Sequence, residues 1–442
     1  MKQLIHTLFA LALLTSCQEP SEPYDDYARD FQAVNQAITD ILVHDIFSPP
    51  VAARVYVYST TAAYSVVAAS NEHYKPLTGQ YSGFPVIAEA PKDPEFSAEV
   101  AALHAAGIVG KALVFSEDRM EQHMEGLMAK LAEHHSAAGM KLSKEYGAKV
   151  AAIVLDWGSK DNYNQTRTFT KYEINDDPMR WKPTPPDYMD GIEPHWRNIR
   201  PLVLDSAQMF KPVPPPTPSL DTNSVFYKDL MEVYHTVNNL TEEQEAIAQF
   251  WDCNPYVSVH KGHVMLATKK ITPGGHWMGI TGIACRKAGL GFERTIDAYL
   301  RAATGLFDGF ISCWDEKYRS ELVRPETLIN EHFDESWQPL LQTPPFPEYT
   351  SGHSVISGAA GIMLTGVFGD QFSFRDSTER VYGLPDRSYD SFNAASDEAA
   401  ISRLYGGIHY MPAIEIGVVQ GRTLGAFIDS ALTTYLDPQD HE

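Results

Sequence analysis

The chain has 442 residues, of which 44% are hydrophobic, and its formal net charge is −22. That length and apolar content support a sizeable core in one large domain or two ordinary ones. So acidic a surface repels nucleic acid and anionic lipid headgroups, and any anion site must be a local cationic pocket.

Met1 and Lys2 precede an apolar stretch from Leu4 to Leu14 that closes on Leu-Thr-Ser-Cys at Cys17. The stretch is too short to span a bilayer and reads as a signal peptide. Its end resembles a bacterial lipobox, which implies cleavage before Cys17 and lipid attachment there. Ordinary export with an incidental cysteine is the alternative. Residues 18–27 then form an acidic tether. The expected product is exported, sits in the periplasm or at the outer membrane or cell surface, and touches the membrane only through the lipid anchor. An exported chain permits one disulfide among Cys253, Cys285 and Cys313. Their spacing does not suggest a zinc site.

Most of the remaining chain has helical periodicity, and the expected fold is all-α. Asp26 to Phe47 is the first helix, and Ser48-Pro49-Pro50 breaks it and starts the next. Residues 97–115, 118–136 and 141–158 follow as helices. Residues 163–220 hold "WKPTPPDYMDGIEPHW" and "KPVPPPTPSL", too proline-rich for long helices. Helical signals resume near Asn223, and Thr241 with Gln244 forms a capping box. No strand pattern of any length appears. These divisions predict a helical half over 28–160, a proline-rich belt over 161–222 and a second helical half over 223–436.

Three segments of the second half carry candidate chemistry. In "WDEKYRSELVRP", Lys317 and Arg324 are seven apart, which on one continuous helix puts both on one face. Taken alone, Lys317 with Glu321 also reads as a solvent-facing i,i+4 pair. In "PFPEYTSGHS", Ser351, Gly352 and His353 open a helix, where free amides and the dipole favour an anion. A plain cap by Thr350 or Ser351 explains the same residues. In "SRLYGGIHY", Arg403 precedes a glycine pair that ends the helix and lets His409 turn back. Together, three cations, two histidines and a helix N-terminus suit a tetrahedral oxyanion, because guanidinium groups grip its oxygens and a histidine bonds or protonates it.

Lys317-x6-Arg324-Pro325, Ser351-Gly352-His353 and Ser402-Arg403-x5-His409 resemble the three-part signature of the type 2 phosphatidic acid phosphatase and vanadium-dependent haloperoxidase superfamily. Thr350 stands where the usual pattern has proline. "SPPVAARVYVYSTTAAYS", "EPHWRNIRPL" and "TPGGHWMG" are similar to the larger soluble bacterial haloperoxidases, which extends the likeness over most of the chain. The resemblance implies two packed helical bundles and a vanadate cofactor. Lys317, Arg324, Arg403, Ser351 and the Gly352 amide would hold its oxygens. His409 would bond the vanadium, and His353 would assist protonation. Hydrogen peroxide and a halide would be the substrates, with Lys317 polarising a peroxovanadate and a small organic acceptor taking the product.

The same signature serves phosphate monoester hydrolysis, with His409 as nucleophile and His353 as acid. A lipoprotein that only binds an oxyanion is a third reading. Length and the missing membrane helices favour the haloperoxidase. In that branch Trp314, Phe346 and Tyr256 would wall the halide pocket, though each also suits plain core packing. Phe346 stands where many bromide-oxidising relatives carry histidine, which points to iodide first and bromide second.

Overall fold

The computed structural model describes residues 25–436 apart from 262, 263 and 268. The signal peptide, Cys17 and most of the tether lie outside the described residues. The first five helices are α1 (Tyr27–His44), α2 (Pro49–Ser70), α3 (Ala98–Leu113), α4 (Glu117–Ala132) and α5 (Ala137–Gly158). A short α6 (Tyr163–Thr166) opens the belt. Then come α7 (Val225–Asn238), α8 (Glu242–Phe250), α9 (Pro273–Ala288), α10 (Phe292–Ser320), α11 (Pro325–His332), α12 (Gly352–Phe368), α13 (Phe392–Tyr405) and α14 (Met411–Ala431). The all-α expectation holds. Two small antiparallel hairpins interrupt it, β1 (Ser258–Lys261) with β2 (Val264–Ala267) and β3 (Phe374–Asp376) with β4 (Arg387–Tyr389). Strands of three or four residues are too short to show alternation in a sequence.

Local chemistry sets the boundaries. Ser48 is extended, and Pro49 and Pro50 fill the first helical positions of α2, where a missing N–H costs nothing. From Pro49 to Val67 every residue of α2 is buried, so it carries no polar face. Thr241 and Gln244 do form the reciprocal capping box of α8. The central α10 packs on α2, α9 and α12, and α12 packs on α13 and α14. One apolar core runs from Phe31 in α1 to Ile428 in α14, and a second, around Tyr349, Tyr410 and Ile414, lies beside the candidate site. Among the described residues no helix is long and apolar enough to cross a membrane.

The belt is irregular apart from α6 and one 3-10 turn at Trp196–Asn198, and polar bonds pin it down. Asp308 of α10 accepts the amides of Leu202, Val203 and Leu204 at 2.8, 2.9 and 3.1 Å. Burial pushes its carboxyl up to about 6 against those three donors. At the belt's start, Asp161 takes Arg54 Nε at 2.6 Å and the Tyr58 hydroxyl at 2.7 Å. Further along, the Ile192 carbonyl accepts Trp314 Nε1 at 3.1 Å and the Tyr318 hydroxyl at 2.6 Å.

The disulfide that export would permit does not form among the described residues. Cys253, Cys285 and Cys313 are all buried free thiols. Each sits on a different element with its own surroundings. Cys313 Sγ donates to the Thr350 carbonyl at 3.6 Å, Cys253 Sγ lies 3.3 Å from His276 Nδ1, and burial pushes the Cys285 thiol up to about 12.

Candidate active site

Lys317 lies in the last turn of α10, which stops at Ser320 because Glu321 is left-handed with φ 50°. Arg324 precedes Pro325, which disfavours the helical region, and it is extended as the N-cap of α11. The two cations therefore do not share one helix face, as their spacing had suggested. They converge through the "PFPEYTSGHS" loop instead. Lys317 Nζ donates to the Pro347 and Glu348 carbonyls, both at 2.9 Å, and Arg324 Nε to the Phe346 carbonyl at 3.0 Å. Lys317 is wholly buried, so the solvent-facing pair with Glu321 does not form.

Ser351 caps α12 by accepting the Ser354 amide at 3.3 Å. Gly352 and His353 thus hold first-turn amides that helix geometry leaves without an intrahelical acceptor. Thr350 occupies the residue position expected for proline, and its hydroxyl donates to Gln420 Oε1 at 2.7 Å, a bond proline cannot make. A Cβ added at Gly352 would lie 3.6 Å from Trp314 Cζ3 and 3.9 Å from Lys317 Cε, in the hollow of the site.

Arg403 is in the last turn of α13. Its Nε donates to Ser402 Oγ at 2.9 Å and its Nη2 to the Trp251 carbonyl at 2.7 Å. Gly406 and Gly407 follow the helix end as expected, and Gly407 adopts φ 77°, a conformation that favours glycine. The chain then returns His409 to the pocket. His409 Nδ1 is 2.7 Å from Glu348 Oε1, and its Nε2 is 3.1 Å from Arg324 Nη1. Oε1 also accepts the Tyr410 amide at 3.0 Å. A guanidinium can only donate, so Nε2 is an acceptor and the proton sits on Nδ1.

Glu348 was not singled out from the sequence. It is a lone acid in its segment, and its partner His409 is sixty-one positions away. Only its isolation in an apolar, proline-bounded stretch hinted at a buried role.

Burial governs the electrostatics. It depresses Lys317 to about 7 and Arg324 and Arg403 to about 10. It holds His353 and His409 well below the usual imidazole range, with help from Arg403 at the first and Arg324 at the second. It also raises Glu348 to about 7. Glu348 lies among Lys317 and Arg324, and Asp252 acts on Arg403 from the same cleft. Arg324 Nη2 and His353 Nε2 are enclosed and make no hydrogen bond.

A narrow cleft opens on this cluster, and Tyr256, Trp314, Phe346, His353, Arg403 and His409 contribute to its walls. The Trp314 and Phe346 rings meet at 5.0 Å, and Lys317 Nζ stands 5.1 Å from the Phe346 centroid. The structure thus gathers every site residue expected within 314–409, and Tyr256 joins them from the loop after α8.

A solved structure described as the first bacterial vanadium-dependent iodoperoxidase matches at 53% identity and a TM-score of 0.90, over 94% of this chain and 99% of that one. This chain belongs to the vanadium haloperoxidase family. A model of the VCPO second helical-bundle domain matches residues 297–438, the segment holding the cradle. Bacterial vanadium-dependent chloroperoxidase in its holo form matches at 18% identity and TM-score 0.69, over 88% of this chain and 93% of that one. The apo form matches at 16% and 0.68, over 87% and 94%. At those identities the likeness speaks for the shared haloperoxidase fold. No curated protein matches the chain.

The residues fit the family's cofactor. The enclosed Arg324 Nη2 and His353 Nε2, the open hollow at Gly352 and the proton-free Nε2 of His409 are what vanadate requires.

Proposed function

We propose that this haloperoxidase oxidises iodide, with bromide as second substrate, using hydrogen peroxide and vanadate. The observation that carries the vanadate reading is His409, whose Nδ1 proton is held by Glu348 while Nε2 presents a lone pair amid Lys317, Arg324 and Arg403. When bound, vanadate supplies Lewis-acid activation of peroxide without changing oxidation state. The protein's own part is to hold and to move protons. Arg324, Arg403 and Lys317 would neutralise the anion, Ser351 and the Gly352 amide would bind its oxygens, and His409 Nε2 would ligate the metal. His353, a neutral imidazole whose Nε2 is enclosed without a hydrogen-bond partner, would move a proton to and from the entering peroxide. Trp314, Phe346 and Tyr256 keep the halide's approach apolar. The identity to a protein described as an iodoperoxidase supports iodide, as does its ease of oxidation.

The test uses protein stripped of metal and phosphate. Orthovanadate is added, and peroxide-dependent iodide and bromide oxidation are measured beside p-nitrophenyl phosphate hydrolysis without vanadate. Phosphate ester cleavage with no halide oxidation would transfer the site to the phosphatase reading. Binding without turnover would make it an oxyanion binder. Export and lipidation at Cys17 belong to the same proposal, and mass spectrometry of the mature N-terminus tests them.

A further inference from the structure

Behind the oxyanion cradle lies a second cluster. Cys253 follows α8, His276 is in the first turns of α9, and Glu379 is in the short 3-10 turn Thr378–Tyr382 after β3. All three are buried, at 1%, 0% and 3% exposure. Sγ of Cys253 lies 3.3 Å from His276 Nδ1, and Glu379 Oε1 lies 3.2 Å from the same nitrogen. The three atoms are within 4.8 Å of one another. Glu379 Oε1 makes no hydrogen bond.

From these contacts we propose a binding site for one thiophilic divalent cation of the zinc class, ligated by Cys253 Sγ, His276 Nδ1 and Glu379 Oε1. Zinc bonds of about 2.3 Å to sulfur and about 2.0–2.2 Å to nitrogen and oxygen give a tetrahedron with edges of roughly 3.3–3.6 Å. The two observed separations to Nδ1 are close to those edges. Without a metal, Nδ1 meets a thiol and a carboxylate oxygen at once, and Glu379 Oε1 is left without a hydrogen bond. A cation satisfies both.

The far side of the ring supports this assignment. Asp376 Oδ2 stands 2.7 Å from His276 Nε2, while its Oδ1 is held by the Thr378 amide at 2.9 Å and hydroxyl at 2.7 Å. A carboxylate that takes the Nε2 proton leaves Nδ1 with a free lone pair and fixes the ring. Trp251 stacks on that ring at 4.5 Å and 18°. Binding M²⁺ releases the thiol proton, and also the Nδ1 proton where the imidazole carries one. Three protein ligands leave a fourth position open. The Trp251 carbonyl that holds Arg403 lies two residues before Cys253, so the cation would brace the segment that aims Arg403. The inference stands on this ligand set and not on the halide chemistry.

The test titrates cobalt(II) into chelator-treated, vanadate-free full-length protein. One equivalent should give a thiolate-to-cobalt charge-transfer band with tetrahedral d–d bands, and zinc should displace it and raise Tm. Cys253→Ala should abolish the charge-transfer band. Asp376→Asn, which keeps all three ligands, should weaken binding about 10–100-fold. The proposal falls if wild-type protein gives no stoichiometric thiolate band, a result that needs no variant to fold. It falls equally if folded Cys253→Ala keeps the band.

Discussion

Glu348 Oε1 and His409 Nδ1 are 2.7 Å apart, and that contact decides which face of the imidazole carries a lone pair. With the proton committed to Glu348, Nε2 accepts from Arg324 and is ready to ligate. Glu348→Gln can present an amide N–H to Nδ1 instead, which moves the ring proton to Nε2. Vanadate affinity should fall by about 10–100-fold with the fold intact. A vanadate titration of restored activity, paired with circular dichroism, checks this. Unchanged affinity would remove Glu348 from the mechanism.

Lys317 offers a pH test with a definite sign. Its folded pKa is about 7. A free lysine titrates near about 10.4. Between those values the unfolded chain binds a proton that the folded chain lacks, so this residue makes stability rise with pH. Its contribution is fully present above the unfolded value and is lost as pH falls through about 7. Denaturant midpoints of vanadate-free wild type and Lys317→Met, compared from pH 7 to 10, should show the smaller upward slope in the variant. Equal slopes would refute the assignment.

The belt should depend on Asp308. Removing its carboxylate strands two buried amides and one part-buried amide, at about 1–3 kcal/mol for each buried one. Asp308→Ala should destabilise the protein by roughly 3 kcal/mol or more. Proteolysis should then begin within 163–220. A variant with native stability would show that solvent satisfies these amides.

Gln420 joins Thr350 Oγ1 at 2.7 Å to Ser312 Oγ at 3.0 Å. Gln420→Leu leaves both buried hydroxyls without that partner, for a loss of roughly 1–3 kcal/mol. The entry to α12 should loosen, and vanadate affinity should fall with the denaturant midpoint. A drop in stability alone would separate the loop from the cradle.

The helices up to Gly158 were legible because apolar period, proline punctuation and serine caps agree there. The site was legible because each of its three segments is short and its cap chemistry is local. The break between Lys317 and Arg324 was not. A seven-residue spacing looks helical whether or not Glu321 turns left-handed, and only Pro325 hinted at the stop. Glu348 and the Cys253–His276–Glu379 cluster escaped because long-range folding makes their contacts. Their partners lie 61 and 23 positions apart in the two hydrogen-bonded pairs. Whether the permitted disulfide forms was not legible for the same reason, since counting cysteines says nothing of where helices carry them.

Lys317, Arg324 and Arg403 lie buried inside a chain whose formal net charge is −22. A small anion therefore meets opposition in solution and attraction only near the cleft. Mobile ions screen exposed charges beyond about 10 Å at 0.1 M ionic strength and leave enclosed ones largely unscreened. Inert salt weakens the outer barrier and spares the inner attraction. A non-halide, weakly binding salt should hasten anion capture here, whereas enzymes steered by cationic surfaces are slowed by it.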